Sequence, residues 1–226
     1  MLTKEELGRI AEFTRQYLYD TGAKRNEERI KSHPRSAIHR WQHTLNVLHN
    51  AEQILVGENA SDESSDIVRI AAIMHDISRF TCPGEIHARV SGEIAEKYLT
   101  EQGYPSEFVK RVAKAISEHG TGLHSLPPDQ RGEILSWEGK VLIEADNLDK
   151  LGVSAITDAL LMMGKRDLVG SESLRELIDH PMQRAGFVKE YMWTETSKRM
   201  AEQRFAFFQK FVEQLADEVV EDSSIY

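Results

Sequence analysis

Residues 66–78, "DIVRIAAIMHDIS", constrain the fold of this chain more than any other stretch. The run is apolar on most sides of a helix, and such a helix belongs in the middle of a domain, covered by others. The remaining sequence supplies those others. "TKEELGRIAEFTRQYLYDTG" sets Thr3 and Glu6 as a capping box, carries Leu7, Ile10, Phe13, Tyr17 and Leu18 at helical spacing, and closes at Gly22. A second amphipathic helix is predicted from about Ser36 to Val56, ending at Gly57, with Leu45, Val47, Leu48, Ala51 and Ile54 facing inward. The polar "GENASDESSD" reads as a solvated loop before the central helix. Helices at about Ala88 to Gln102 and Ser106 to Glu118 flank the turn signal "GYP". Residues 119–132, "HGTGLHSLPPDQRG", form the longest irregular segment, a loop suited to the mouth of a site. Then come "WEGKVLIEADNLDKLG", a helix to Met163, and two helices from Glu172 onward. The last carries Phe205, Phe208, Phe211, Val212 and Leu215 as a packing face; Phe207 and the Met162–Met163 pair also read as packing residues. No stretch has strand periodicity and no repeat is visible. The expectation is an all-α fold forming a single domain over residues 1–226.

Charge and cysteine content narrow the functions. A net charge of −9 argues against a protein that grips a nucleic acid polymer, though a few local cations can still hold a phosphate. Cys82 is the single cysteine, so no internal disulfide can form. The opening "MLTKEELGRI" has no signal-peptide core, and nothing approaches the roughly 18 consecutive apolar residues of a membrane helix. The expectation is a cytoplasmic protein with no membrane partner, for which a homodimer is admissible.

The central helix closes on His75 and Asp76, an imidazole and a carboxylate about 100° apart around a helix axis. Both can reach an ion lying beside that helix. Upstream, "QHTLNV" embeds His43 in an amphipathic helix; downstream, Val141, Leu142 and Ile143 lead into Asp146. Buried carboxylates are expensive, and a metal is a common remedy. Borderline divalent cations favour imidazole nitrogen and carboxylate oxygen gathered from several elements.

His43 in "QHTLNV", His75 and Asp76 in "MHDISR", and Asp146 in "EADNLDKLG" resemble the H…HD…D pattern of the HD superfamily of metal-dependent phosphohydrolases. "EADNLDKLG" is similar to a D-A-D-x-L-D-x-L-G stretch of small stand-alone bacterial HD hydrolases, with Glu144 replacing the first Asp. The likeness covers about residues 38–155, leaving 1–37 and 156–226 as flanking packing helices. It implies an HD-domain helical fold and one divalent ion per chain (Mn²⁺, Fe²⁺, Co²⁺, Ni²⁺ or Mg²⁺) held by His43, His75, Asp76 and Asp146. The ion would activate water to cleave a phosphoester or phosphoanhydride bond of a small phosphorylated metabolite, a nucleotide first among them.

Charge developing on the phosphoryl oxygens calls for cations. Arg79, one turn after His75, and Lys150, one turn past Asp146, are the nearest candidates, as catalytic and substrate-binding residues beside Asp76. Arg35 and Arg40 are further cations near the second helix. His119 is a candidate for substrate contact or proton transfer and His87 for substrate contact. In two-metal branches such histidines bind a second ion bridged by the HD aspartate. His39 lies four residues before His43 and could orient it; His33, His49, His124 and His180 carry no pattern. Two other readings share the ligand pattern: a di-iron oxygenase-like enzyme, which would need His87 and His119 as ligands, and a non-catalytic metal-binding signalling domain. "ISRFTCPGE" lacks the Glu-Asp pair of guanosine-tetraphosphate hydrolases, which argues against that variant.

Overall fold

The computed structural model describes residues 2–26, 35–82, 84, 86–120, 122–165 and 187–218, and every regular element among them is helical. In chain order these are α1 (Lys4–Ala23), α2 (Ala37–Gly57), α3 (Asp62–Met74), α4 (Ile86–Glu101), α5 (Ser106–Glu118) and a 3₁₀ turn (Leu123–Ser125). There follow a short α6 (Pro128–Arg131), α7 (Trp137–Leu148), α8 (Gly152–Lys165) and α9 (Glu195–Glu218). The all-α expectation holds. The helix expected to start at Glu172, and His33 and His180, fall outside the described residues. The chain divides into two compact units, residues 1–146 and 147–226.

In the first unit α3 is the core. Ile67, Val68, Ile70, Ala71, Ala72, Ile73 and Met74 are all buried, with α1, α2 and α5 packed around the helix and α4 along α5. β-Branched residues are mediocre helix formers, so this packing holds α3 helical, each large side chain contributing about 1.5–3 kcal/mol on burial. The helix starts earlier than its apolar run. Ser61 caps it, its hydroxyl accepting from Ser64 N at 3.2 Å, and Asp62 and Glu63 sit in the first turn, where the helix dipole favours acids. Half of the expected solvated loop is therefore helix. It also ends earlier, at Met74: the chain turns through i→i+3 bonds from Ile77 N to Met74 O (3.1 Å) and Arg79 N to Asp76 O (2.9 Å). His75 and Asp76 thus lie in a tight turn at the helix end.

α1 forms the expected capping box: Glu6 N donates to Thr3 Oγ1 at 3.2 Å and Thr3 N to Glu6 Oε2 at 2.8 Å. Ser36 caps α2, accepting from His39 N. Leu45, expected inward, is exposed; Thr44 and Asn50 take buried places on that helix instead, Thr44 by returning its hydroxyl to Arg40 O. The buried Asn50 Nδ2 donates to Ala145 O at 2.9 Å, tying α2 to α7. α4 and α5 approach closely at Gly92, where an added Cβ would lie 2.9 Å from Ala113 O and 2.5 Å from Ser117 Oγ.

In the second unit α8 packs on α9. Gly152 opens α8 with φ +65°, and Arg204 of α9 donates to Leu148 O at 2.7 Å. Phe208 is buried, but Phe207 is half exposed and does not belong to the packing face. Among the described residues no helix is long and apolar enough to cross a membrane.

Candidate metal centre

Five elements of the first unit converge on one cluster. His43 stands midway along α2, His75 and Asp76 at the end of α3, and His87 in the first turn of α4. His119 caps the C-terminus of α5, and Asp146 lies in the last turn of α7. The Asn50–Ala145 bond sets His43 and Asp146 beside each other, with Nε2 and Oδ1 3.2 Å apart.

The cluster resolves into two ligand groups: His43, His75 and Asp146, and Asp76, His87 and His119. His43 Nε2 lies 3.3 Å from His75 Nε2, and His87 Nε2 lies 3.0 Å from His119 Nε2. Asp76 stands between them. Its Oδ1 is 3.0 Å from His87 Nε2 and 3.8 Å from His119 Nε2, while its Oδ2 is 3.9 Å from both His43 Nε2 and His75 Nε2.

Backbone carbonyls assign the tautomers of two of the four imidazoles. His75 Nδ1 donates to Ala72 O at 2.9 Å and His119 Nδ1 to Ile116 O, whereas His87 Nδ1 lies against both Gly84 O and the Arg79 guanidinium. His75 and His119 then present the lone pair of Nε2 to the cluster, the arrangement that outer hydrogen bonds impose on metal-binding histidines. Burial pushes the His75 imidazole down to about 4; Asp76 opposes this and His119 and His43 add to it, so the ring is neutral at pH 7. Burial alone would raise the Asp76 carboxyl. Arg40 above all, then His75, His119 and His87, outweigh it and hold the group well below its ordinary value, as a carboxylate.

This donor set fits a divalent ion. Paired Nε2 atoms 3.0 and 3.3 Å apart need a proton or a cation between them. Four nitrogens with carboxylate oxygens suit borderline first-row metals.

Arg40, one turn before His43 on α2, donates from Nη1 to Asp76 Oδ2 at 2.8 Å and is buried. The i, i+3 spacing of "RWQH" carries its place beside His43, but nothing local in the sequence says that Asp76 faces it. Arg79 is at the rim: Nη1 donates to Gly84 O at 3.0 Å and lies 2.9 Å from His87 Nδ1. Lys150 belongs to the second unit, where its ammonium donates to Asn147 Oδ1 at 3.0 Å. His39 is half-buried.

Comparison with known proteins agrees with this geometry. The HD domain profile matches residues 40–151, which includes all six cluster residues. The Bacillus subtilis protein YpgQ is 30% identical over 192 residues, spanning 81% of this chain and 86% of YpgQ. The chain belongs to the HD domain family. A predicted HD superfamily hydrolase from an uncultured Thermotogales bacterium superposes with a TM-score of 0.58 at 25% identity, covering 92% of this chain and 91% of its own. The crystal structure of YpgQ in complex with ADP superposes with a TM-score of 0.61, at 23% identity over 94% of this chain and 96% of that one. An HD-superfamily hydrolase from Bacillus thuringiensis gives 0.65 at 21% identity, with 95% and 97% covered.

Proposed function

We propose that this chain is a metal-dependent phosphohydrolase that cleaves a phosphoester or phosphoanhydride bond of a nucleotide. The cluster carries the reading: imidazoles of His75, His87 and His119, with the Asp76 carboxylate set between two ligand groups. His43, His75, Asp76 and Asp146 hold one divalent ion, and Asp76 Oδ1, His87 and His119 offer a place for a second. A bound ion supplies Lewis acidity and lowers the pKa of a coordinated water. Asp76 keeps its charge at any working pH because Arg40 stabilises it. Arg79, at the rim, donates to phosphoryl oxygens. When no ion occupies its group, His119 Nε2 can accept a proton from the attacking water and then return it to the leaving oxygen. The nucleotide half of the proposal draws on YpgQ, whose crystals contain ADP.

The paired histidine group also favours a second reading, an oxygenase-like enzyme with two irons. Metal analysis near two irons per chain with oxygen-dependent turnover would select it.

The deciding experiment is product release from a nucleotide panel, with Mn²⁺ against a chelated control, for wild type and Asp76→Ala. Metal-dependent release lost in the variant supports the proposal, with phosphate marking a phosphatase and pyrophosphate a pyrophosphohydrolase. Metal bound without turnover of any nucleotide refutes it.

A further inference from the structure

Arg40 is a buried guanidinium whose Nε has no hydrogen-bond partner among the described residues. Its Nη1 neutralises Asp76, but an arginine kept only for that purpose would be expected to have its remaining buried donors satisfied. Arg79 repeats the feature: its Nε is also buried and without a partner among the described residues, although Nη1 is held by Gly84 O. The two lie on opposite sides of Asp76, Arg40 at Oδ2 and Arg79 through His87, which faces Oδ1. Two guanidiniums, each with a buried Nε that lacks a partner among the described residues, stand beside the cluster, and such donors suit an anion.

We propose that Arg40 and Arg79 together form an oxyanion site that takes a phosphoryl group beside the metal cluster, making Arg40 a substrate-binding residue. The site rests on the phosphohydrolase reading and names the groups that hold the anion. The guanidinium fork matches phosphate oxygens in pairs, which a lysine ammonium does not.

Inorganic phosphate is the probe, titrated calorimetrically into the full chain with excess chelator, so that no metal contributes and no turnover is needed. Wild type binds phosphate. Arg40→Gln weakens binding at least about tenfold, since hydrogen bonds to charged groups contribute about 1.5–3 kcal/mol each. Arg40→Lys recovers part of the loss. Arg79→Gln, at the rim, gives a second, independent weakening should Arg40→Gln fail to fold by circular dichroism. Wild type that binds no phosphate overturns the site, and so does folded Arg40→Gln or Arg79→Gln with unchanged affinity. Failure of the nucleotide panel with this titration intact would remove the hydrolase reading and leave the anion site standing.

Discussion

At the scale of single residues, Asp76 decides most. Its two oxygens face different ligand groups, so its loss is felt in both, whereas His119 serves one. Asp76→Asn is expected to lower bound metal across the whole cluster, and His119→Ala to spare the ion at His43, His75 and Asp146. Elemental analysis of protein loaded with Mn²⁺ checks this; equal losses in the two variants would show that the cluster binds as one unit. His75 sets an acid limit. Burial holds its pKa near 4 in the folded protein against 6.5 as the ordinary value, so between those values the unfolded chain takes up a proton that the folded chain refuses. Stability of metal-free protein is therefore full above about 6.5 and falls as pH drops toward 4, and depressed Asp76 adds loss at lower pH still. Urea denaturation with chelator at pH 7 and pH 5 should show a lower midpoint at pH 5; equal midpoints would mean that His75 is not buried neutral.

Among the elements, the α4–α5 crossing is where sequence and geometry are most tightly joined. Both helices bring a histidine to the cluster, and Gly92 lets them approach. Gly92→Ala forces Ala113 O and Ser117 Oγ aside and is expected to destabilise by about 1–3 kcal/mol, the usual effect of overpacking. The same change would loosen the His87–His119 pair, so metal content should fall with the melting temperature. A variant that melts like wild type would show that the crossing has room to give. The helix starts were legible where short polar side chains cap them, as at Thr3 and Ser36. The end of α3 was not. Residues 75–78 hold no Gly or Pro to mark a stop, and the turn that replaces helix there is held by Ser78, which bonds Ser91 and His87 O thirteen and nine residues on. Leu45 misled for a similar reason. Its spacing fits an inward face, but the side chain is exposed among the described residues, and spacing alone does not say which sector of an amphipathic helix is covered.

For the whole molecule, the cluster couples folding of the first unit to metal. Five elements contribute ligands, so an ion binds the folded arrangement and not the unfolded chain, adding about 2.7 kcal/mol at a hundredfold excess over Kd. Chelation is expected to lower the melting temperature and Mn²⁺ to restore it. Calorimetric scans with and without chelator measure the difference, and superimposed scans would argue that no ion binds the native state.

The sequence by itself determined the helical class, because apolar periodicity and caps are local properties. It also singled out His43, His75, Asp76 and Asp146, because polar residues set within or closing apolar runs, in an order that resembles H…HD…D, stand out in one dimension. Only the tertiary structure decided how those residues group and what else joins them. His87 pairs with His119 across 32 residues, Arg40 reaches Asp76 across 36, and Asp76 divides its oxygens between two ligand groups. Such contacts depend on the angles and distances between packed helices. Those are set by the fit of many side chains at once, and no segment of the chain carries them alone.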